Sequence, residues 1–141
     1  MGKVMAKIKL SNLFDVSNAR RGFLQPDQVR TLEMEGLVDT GATTLIIPAE
    51  VAEALGLPEV RRRSVRLADG SVRDFPQVSE LHIEILGRDM PCDAIVMPTK
   101  TLLIGQIPLE WLDLVVHPKS RDLLVNPEHP DGPMAEAMRA A

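Results

Sequence analysis

An all-β fold, a mostly antiparallel barrel closed on itself with one or two short helices, is predicted by three observations. Short segments with a two-residue apolar rhythm recur along the chain, as in residues 4–10 and 78–86. Gly, Pro and an Asp-Gly pair punctuate them at short intervals. Long helical patterns do not alternate with the strands, as parallel β-α architectures require. The 141 residues are the length of one domain, and 45% of them are apolar, enough for a core without disulfide or metal staples.

The elements follow in order. Residues 4–10 set Val4, Ala6, Ile8 and Leu10 on one side and Met5, Lys7 and Lys9 on the other, a strand with one wetter face. Residues 11–27, with Asn, Arg, Gly and Pro, read as a loop. Residues 29–38 alternate again and run into Asp39-Thr40-Gly41-Ala42, and Leu45-Ile46-Ile47 is a short apolar strand. Pro48 opens a helix with Val51, Ala54 and Leu55 on one face, and Gly56 stops it. Residues 65–67 and 72–75 flank Ala68-Asp69-Gly70-Ser71. The Asp-Gly pair predicts a two-residue turn with positive φ at both positions, hence a projecting hairpin.

Residues 78–86 place Leu81, Ile83 and Ile85 opposite His82 and Glu84, and Gly87-Arg88-Asp89 turns the chain into a strand over 90–97. Leu102-Leu103-Ile104-Gly105 is followed by a short helix around residues 109–112, with Trp111 expected to pack against the barrel. Strands at 114–117 and 123–125 form a last hairpin across Pro118-Lys119-Ser120. The domain is expected to span residues 1–125. Prolines and an Ala/Met-rich end predict a flexible tail over 126–141.

Composition narrows the function. The net charge is −4 and the cations are scattered, apart from Arg61-Arg62-Arg63, which reads as a solvated run. With one Trp, three Phe and no Tyr there is little to stack on bases, so no nucleic-acid partner is expected. The single cysteine, Cys92, excludes an internal disulfide and a multi-cysteine zinc site. It fits a reducing, cytoplasmic location as a small buried residue. His82, His117 and His129 are dispersed, so no metal or other cofactor is expected. No apolar run reaches membrane length, and residues 1–7 lack the apolar core of a secretory signal, so no membrane association is expected.

The chemistry concentrates at Asp39-Thr40-Gly41. The apolar strand Gly36-Leu37-Val38 delivers a carboxylate to a turn. Thr40 offers a hydroxyl to tie the turn down, Gly41 permits close backbone approach, and Leu45-Ile46-Ile47 leads away. The stretch Val38-Asp39-Thr40-Gly41-Ala42-Thr43-Thr44-Leu45-Ile46-Ile47-Pro48 resembles the active-site segment of the retropepsin-like aspartic peptidases, the single-domain clan AA type. Two later segments add to this. The hairpin at Asp69-Gly70 sits where the family has its substrate-covering flap. Leu103-Ile104-Gly105, with the helix through Trp111, is similar to the segment that braces the family's active-site loop. The resemblance covers residues 4–125.

The resemblance implies an acid-protease-like barrel, one lobe per chain, and an aspartic endopeptidase, a hydrolase acting on an extended peptide or protein. Asp39 would be catalytic, with Thr40 and Gly41 in its loop. The Gly41 carbonyl and Ala42 would hold the substrate backbone. Leu67, Ala68, Asp69, Gly70 and Ser71 would close over it, and Ile104 and Gly105 would brace the site. Val38, Ile47, Ile104 and Leu67 would be apolar walls.

Carboxylate-driven peptide hydrolysis needs one group to accept a proton and another to donate one, and two close carboxyl groups sharing a proton supply both roles. The chain has one Asp-Thr-Gly and no Asp-Ser-Gly. The active form is therefore expected to be a homodimer in which Asp39 of each subunit meets on the two-fold axis. By the resemblance, the Thr40 hydroxyls would cross-link the base of the pair, and residues 4–10 and 123–125 are candidate interface strands. Thr43, Thr44 and Gln106 stand where many viral members carry acidic residues and an arginine, so the pattern looks closer to cellular single-domain relatives. These departures motivate an alternative: a non-catalytic dimeric module that grips a peptide without cutting it.

Overall fold

A computed structural model describes residues 2–137; Met1 and residues 138–141, the outer ends of the expected domain and tail, lie outside the described residues. In chain order the elements are β1 (Met5–Asn12), α1 (Leu13–Arg20), β2 (Thr31–Val38), β3 (Leu45–Pro48), α2 (Ala49–Leu55), β4 (Glu59–Arg66) and β5 (Val72–Ile85). There follow β6 (Arg88–Met97), β7 (Leu102–Ile104), α3 (Gln106–Trp111), β8 (Leu114–Val116) and β9 (Leu123–Val125).

Six strands form a closed ring in the order β1-β2-β7-β3-β6-β5 and back to β1. Closure depends on β1, which is antiparallel to β2 from Met5↔Leu37 to Ser11↔Thr31 and to β5 from Lys9↔Glu84 to Asn12↔Leu81. The β2–β7 and β3–β6 pairs are parallel and the remaining pairs of the ring antiparallel, so the predicted all-β, mostly antiparallel closed barrel is the observed one. The strand β4 pairs with β5 alone and makes a hairpin arm, and β8 and β9 form a separate two-stranded ribbon.

The two-residue rhythm decides what lies inside. Ile8, Leu10, Leu45, Ile47, Leu81, Ile83, Leu102 and Ile104 are all 0% exposed. Each such side chain contributes roughly 1.5–3 kcal/mol through burial. Their strand neighbours face out, where the register sets Lys9 opposite both Glu33 and Glu84 and Lys7 opposite Glu35.

Residues 11–27, expected as a loop, contain α1 and a 3₁₀ turn at Pro26–Gln28. The helix begins where the Asn12 side chain accepts the Asp15 N–H at 3.0 Å. The buried Asp15 carboxylate then receives Arg30 through Nε at 2.8 Å and through the main-chain N–H at 3.1 Å. Tertiary polar contacts therefore make this helix. Its apolar residues form no buried stripe, and Phe14 is 60% exposed.

The hairpin arm also differs from expectation. Its tip is a three-residue loop: the Leu67 N–H donates to the Ser71 carbonyl at 2.8 Å and the Gly70 N–H to the Leu67 carbonyl at 2.9 Å. Gly70 alone is left-handed, with φ 87°, so only one position needs positive φ. The Asp69 carboxylate accepts the Ser71 hydroxyl and N–H at 2.6 and 2.9 Å, which holds its carboxyl below the usual range. Further along, a bulge between Val78 and Leu81 bends β5, with Glu80 at φ 66°.

In α3, Pro108 and Leu109 face inward, as does Leu112 just beyond it. Trp111, expected against the barrel, is 59% exposed and shares the outer face with Ile107, four residues earlier.

Residues 126–134, expected as part of a tail, are fastened to Asp113. Asn126 Nδ2 donates to Asp113 Oδ1 at 3.0 Å, while the Met134 N–H and His129 Nδ1 meet Oδ2 at 3.0 and 2.5 Å. Buried Arg88 donates to the carbonyls of Leu112 and Asp113, both at 3.0 Å, and to that of His129. The Asn126 amide, then the Met134 N–H and His129, hold the Asp113 carboxyl down from 3.8 to about 2. A depressed carboxyl stabilises the fold above its unfolded value, and that contribution is lost as pH falls through the window from 3.8 to about 2. Asp113→Ala is therefore expected to speed amide exchange across residues 126–134 at neutral pH. Its deficit in urea midpoint against wild type should narrow as the pH drops through that window. Unchanged exchange would mean that Asp113 does not fasten this segment.

Candidate active site

The strand β2 ends at Val38, and the chain turns through Asp39-Thr40-Gly41-Ala42. Val38 lies beside Ile104 in the parallel pair, and the Asp39 N–H donates to the Ile104 carbonyl at 2.9 Å. The Ala42 N–H closes the turn on the Asp39 carbonyl at 3.1 Å, and Asp39 Oδ1 accepts the Gly41 N–H at 2.9 Å. The carboxylate is thus half-buried and tied to its own loop through one oxygen, with Thr40 and Gly41 exposed beside it.

A second segment grips this loop from behind. A Cβ on Gly105 would lie 2.3 Å from the Thr44 carbonyl oxygen and 2.6 Å from that of Ala42, so the approach requires glycine. Past it, the Gln106 N–H donates to the Ala42 carbonyl at 2.8 Å and the Ile107 N–H to the Thr43 carbonyl at 2.9 Å. These are amides of the first turn of α3, which have no partner within their own helix. The loop is held by main-chain bonds, so the grip does not depend on the side chain at position 106. Both main-chain groups of Ala42 are used within this unit.

Strand register shows which residues share the outward side of Leu37, two residues before Asp39. Direct cross-strand partners lie on the same side, and an unbroken row runs Leu37, Leu103, Ile46, Ile95, Gln77, Arg61 across β2, β7, β3, β6, β5 and β4. Asp39 follows two residues beyond Leu37, in the turn after β2. Ile47 and Ile104, expected as walls of the site, are 0% exposed inside the barrel. Their neighbours Ile46 and Leu103 are the half-buried residues facing outward. A one-residue offset reverses the face, and unbroken apolar runs give no alternation from which to read it. Val38 packs against the core, and Leu67 is half-buried at the hairpin tip with Ala68, Asp69, Gly70 and Ser71 exposed beside it.

Two neighbours complete the setting. Burial, with the charge of Asp93 adding to it, pushes the Cys92 thiol up to about 12, so Cys92 supplies no thiolate nucleophile. Thr40, Ile107, Trp111, Val116 and Met134 line one groove, so the Asp39 loop adjoins the exposed apolar face of α3.

The family model described as "gag-polyprotein putative aspartyl protease" matches residues 28–120, from the turn before β2 to the β8–β9 ribbon. No curated protein matches the chain. No helix among the described residues is long and apolar enough to cross a membrane.

Proposed function

The chain belongs to the gag-polyprotein aspartyl protease family, and we propose that it is an aspartic endopeptidase whose water-activating pair is Asp39 from each of two subunits. The observation that carries this reading is the hydrogen-bonded unit in which Ile104, Gly105 and Gln106 fix the Asp39 loop, with one such aspartate per chain. Two carboxyl groups about 3 Å apart share a proton. The ionised one takes a proton from water as its oxygen attacks the scissile carbonyl carbon, and the protonated one gives its proton to the carbonyl oxygen. In the tetrahedral diol the roles reverse: a proton passes to the amide nitrogen, the C–N bond breaks, and an acid and an amine leave.

A single aspartate per chain calls for an isologous dimer. Its support lies beside Thr40, where Ile107 and Trp111 are 48% and 59% exposed and share its groove. The β8–β9 ribbon pairs with no third strand among the described residues. A two-stranded ribbon is marginal alone, and a second copy would supply strands to its edges. Of the two candidate interface strands, β9 offers such an edge, and β1 keeps one along residues 5–8, where β5 does not pair with it. In this reading the substrate is an extended peptide held by the Gly41 carbonyl and the Ile46–Leu103 face. The hairpin tip, Leu67 to Ser71, is its flap, closing to exclude water. The lone cysteine fits a cytoplasmic setting.

Sedimentation velocity paired with peptide cleavage tests the pairing. Specific activity should rise with protein concentration and level off as the dimer saturates. Trp111→Glu should shift the chain to monomer and remove activity where wild type is dimeric. A monomer cutting peptides at a concentration-independent rate would sink the paired mechanism. A dimer that binds extended peptides yet turns over none between pH 4 and 8 would leave the non-catalytic module.

A further inference from the structure

We infer that the β4–β5 hairpin selects acidic substrates: Arg61, Arg63 and Arg73, on the hairpin side whose cross-strand row ends at Leu37, two residues before Asp39, receive the carboxylates of Asp or Glu residues flanking the scissile bond. The inference rests on the endopeptidase reading and names its substrate class.

Residues 59–77 hold five arginines against three carboxylates, on a chain whose net charge is −4. The register sorts these charges by face. Arg61↔Gln77, Arg63↔Phe75 and Val65↔Arg73 share one side; Arg62↔Pro76, Ser64↔Asp74 and Arg66↔Val72 share the other. The carboxylates belong to the second side or to the tip. Asp74 accepts the Ser64 hydroxyl at 2.7 Å, Glu59 lies 3.6 Å from Arg62, and Asp69 is bound to Ser71. The first side therefore carries three cations and no carboxylate of the hairpin. The acid next to it, Asp93 on β6, already accepts Gln77 Nε2 at 2.9 Å.

This cationic side is the one that leads to the site. The row Arg61, Gln77, Ile95, Ile46, Leu103 ends beside Leu37, two residues before Asp39. Its bed is apolar: Phe75 is 5% exposed, with the Arg73 guanidinium 5.4 Å from its ring centroid. Gln77 is 8% exposed, and its Oε1 is buried with no hydrogen-bond partner among the described residues. That unpaired acceptor lies beneath the row, beside Arg61 in the register. Guanidinium forks match carboxylates with two parallel bonds, and held over an apolar bed they stay aimed. The Arg61-Arg62-Arg63 run, which reads as a solvated stretch in the sequence, is split by the strand into two faces with different partners.

Binding tests this separately from catalysis. Asp39→Asn protein is titrated with fluorescent ten-residue peptides that share one apolar centre and carry Glu, Gln or Lys at the flanks. Glu peptides should bind roughly tenfold tighter than Gln peptides at low salt, the difference shrinking in 0.5 M NaCl. The double variant Arg61→Glu, Arg63→Glu should prefer the Lys peptide. Equal affinities for Glu and Gln peptides overturn the inference even if wild type cuts both. An oligothymidylate of equal charge binding as tightly as the Glu peptide overturns it too, because it would mean charge without peptide recognition. Acid-selective binding by a wild-type protein that cuts none of the peptides would uphold the inference and sink the endopeptidase reading instead.

Discussion

Asp39→Asn is expected to lower kcat/KM for an extended peptide by on the order of 10³-fold or more while leaving the barrel folded. An amide cannot accept the proton of the attacking water or share a proton with its symmetry mate. It does keep a carbonyl oxygen where Asp39 Oδ1 accepts the Gly41 N–H at 2.9 Å, so the loop retains its internal bond. Asp39→Ala removes the chemistry and the bond together and should cost a further ~0.5–1.5 kcal/mol of stability. The pair of variants thus separates two roles of one side chain. An aspartate that merely caps its own turn would leave Asn near wild type in activity and Ala impaired only through the fold. Peptide cleavage, urea midpoints and sedimentation on the same preparations distinguish these outcomes, and wild-type turnover by Asp39→Asn would end the protease assignment.

What the sequence made legible follows the physics of each segment. In β1 and β5 one face meets the core and the other water, so Ile8, Leu10, Ile83 and Ile85 alternate with Lys7, Lys9 and Glu84 and announce their strands. The Asp39 loop was legible because its signal is local: three adjacent residues between two apolar runs. The faces of those runs were not. Along Leu45-Ile46-Ile47 and Leu102-Leu103-Ile104 every residue is apolar, so the choice between Ile46 and Ile47 as the outward residue rests on pairing partners elsewhere in the chain. The helix α1 was hidden for a related reason: its anchor is a pair fifteen positions apart, Asp15 and Arg30. The fastening of residues 126–134 depends on Asp113 and on Arg88, whose donation to His129 spans forty-one positions. Polar contacts at such separations leave no period to read.

Gly105→Ala is expected to damage both fold and activity, and it tests the link between them. Gly105 has φ −93° and ψ −168°, extended backbone open to any residue, so the cost arises from contact and not from torsion. The added methyl would meet main-chain atoms, the carbonyl oxygens of Thr44 at 2.3 Å and Ala42 at 2.6 Å and the Thr44 nitrogen at 2.8 Å, none of which can swing aside as a side-chain end could. Relief requires parting the β7–α3 junction from the loop. That movement strains the three bonds joining them: Asp39 N–H to Ile104, Gln106 N–H to Ala42 and Ile107 N–H to Thr43. Overpacking and weakened bonds together predict a loss of about 3 kcal/mol or more. Gly132→Ala, where nothing lies within 4 Å, is the control and should stay within about 0.5 kcal/mol of wild type. Activity should fall further than the lost folded fraction accounts for, because a reacting carboxylate tolerates only about half an ångström of misplacement. If Gly105→Ala kept wild-type stability and turnover, the Asp39 loop would be holding its shape without β7. The parallel pairing of β2 with β7 would then no longer explain how a carboxylate at a strand end is set in position for chemistry.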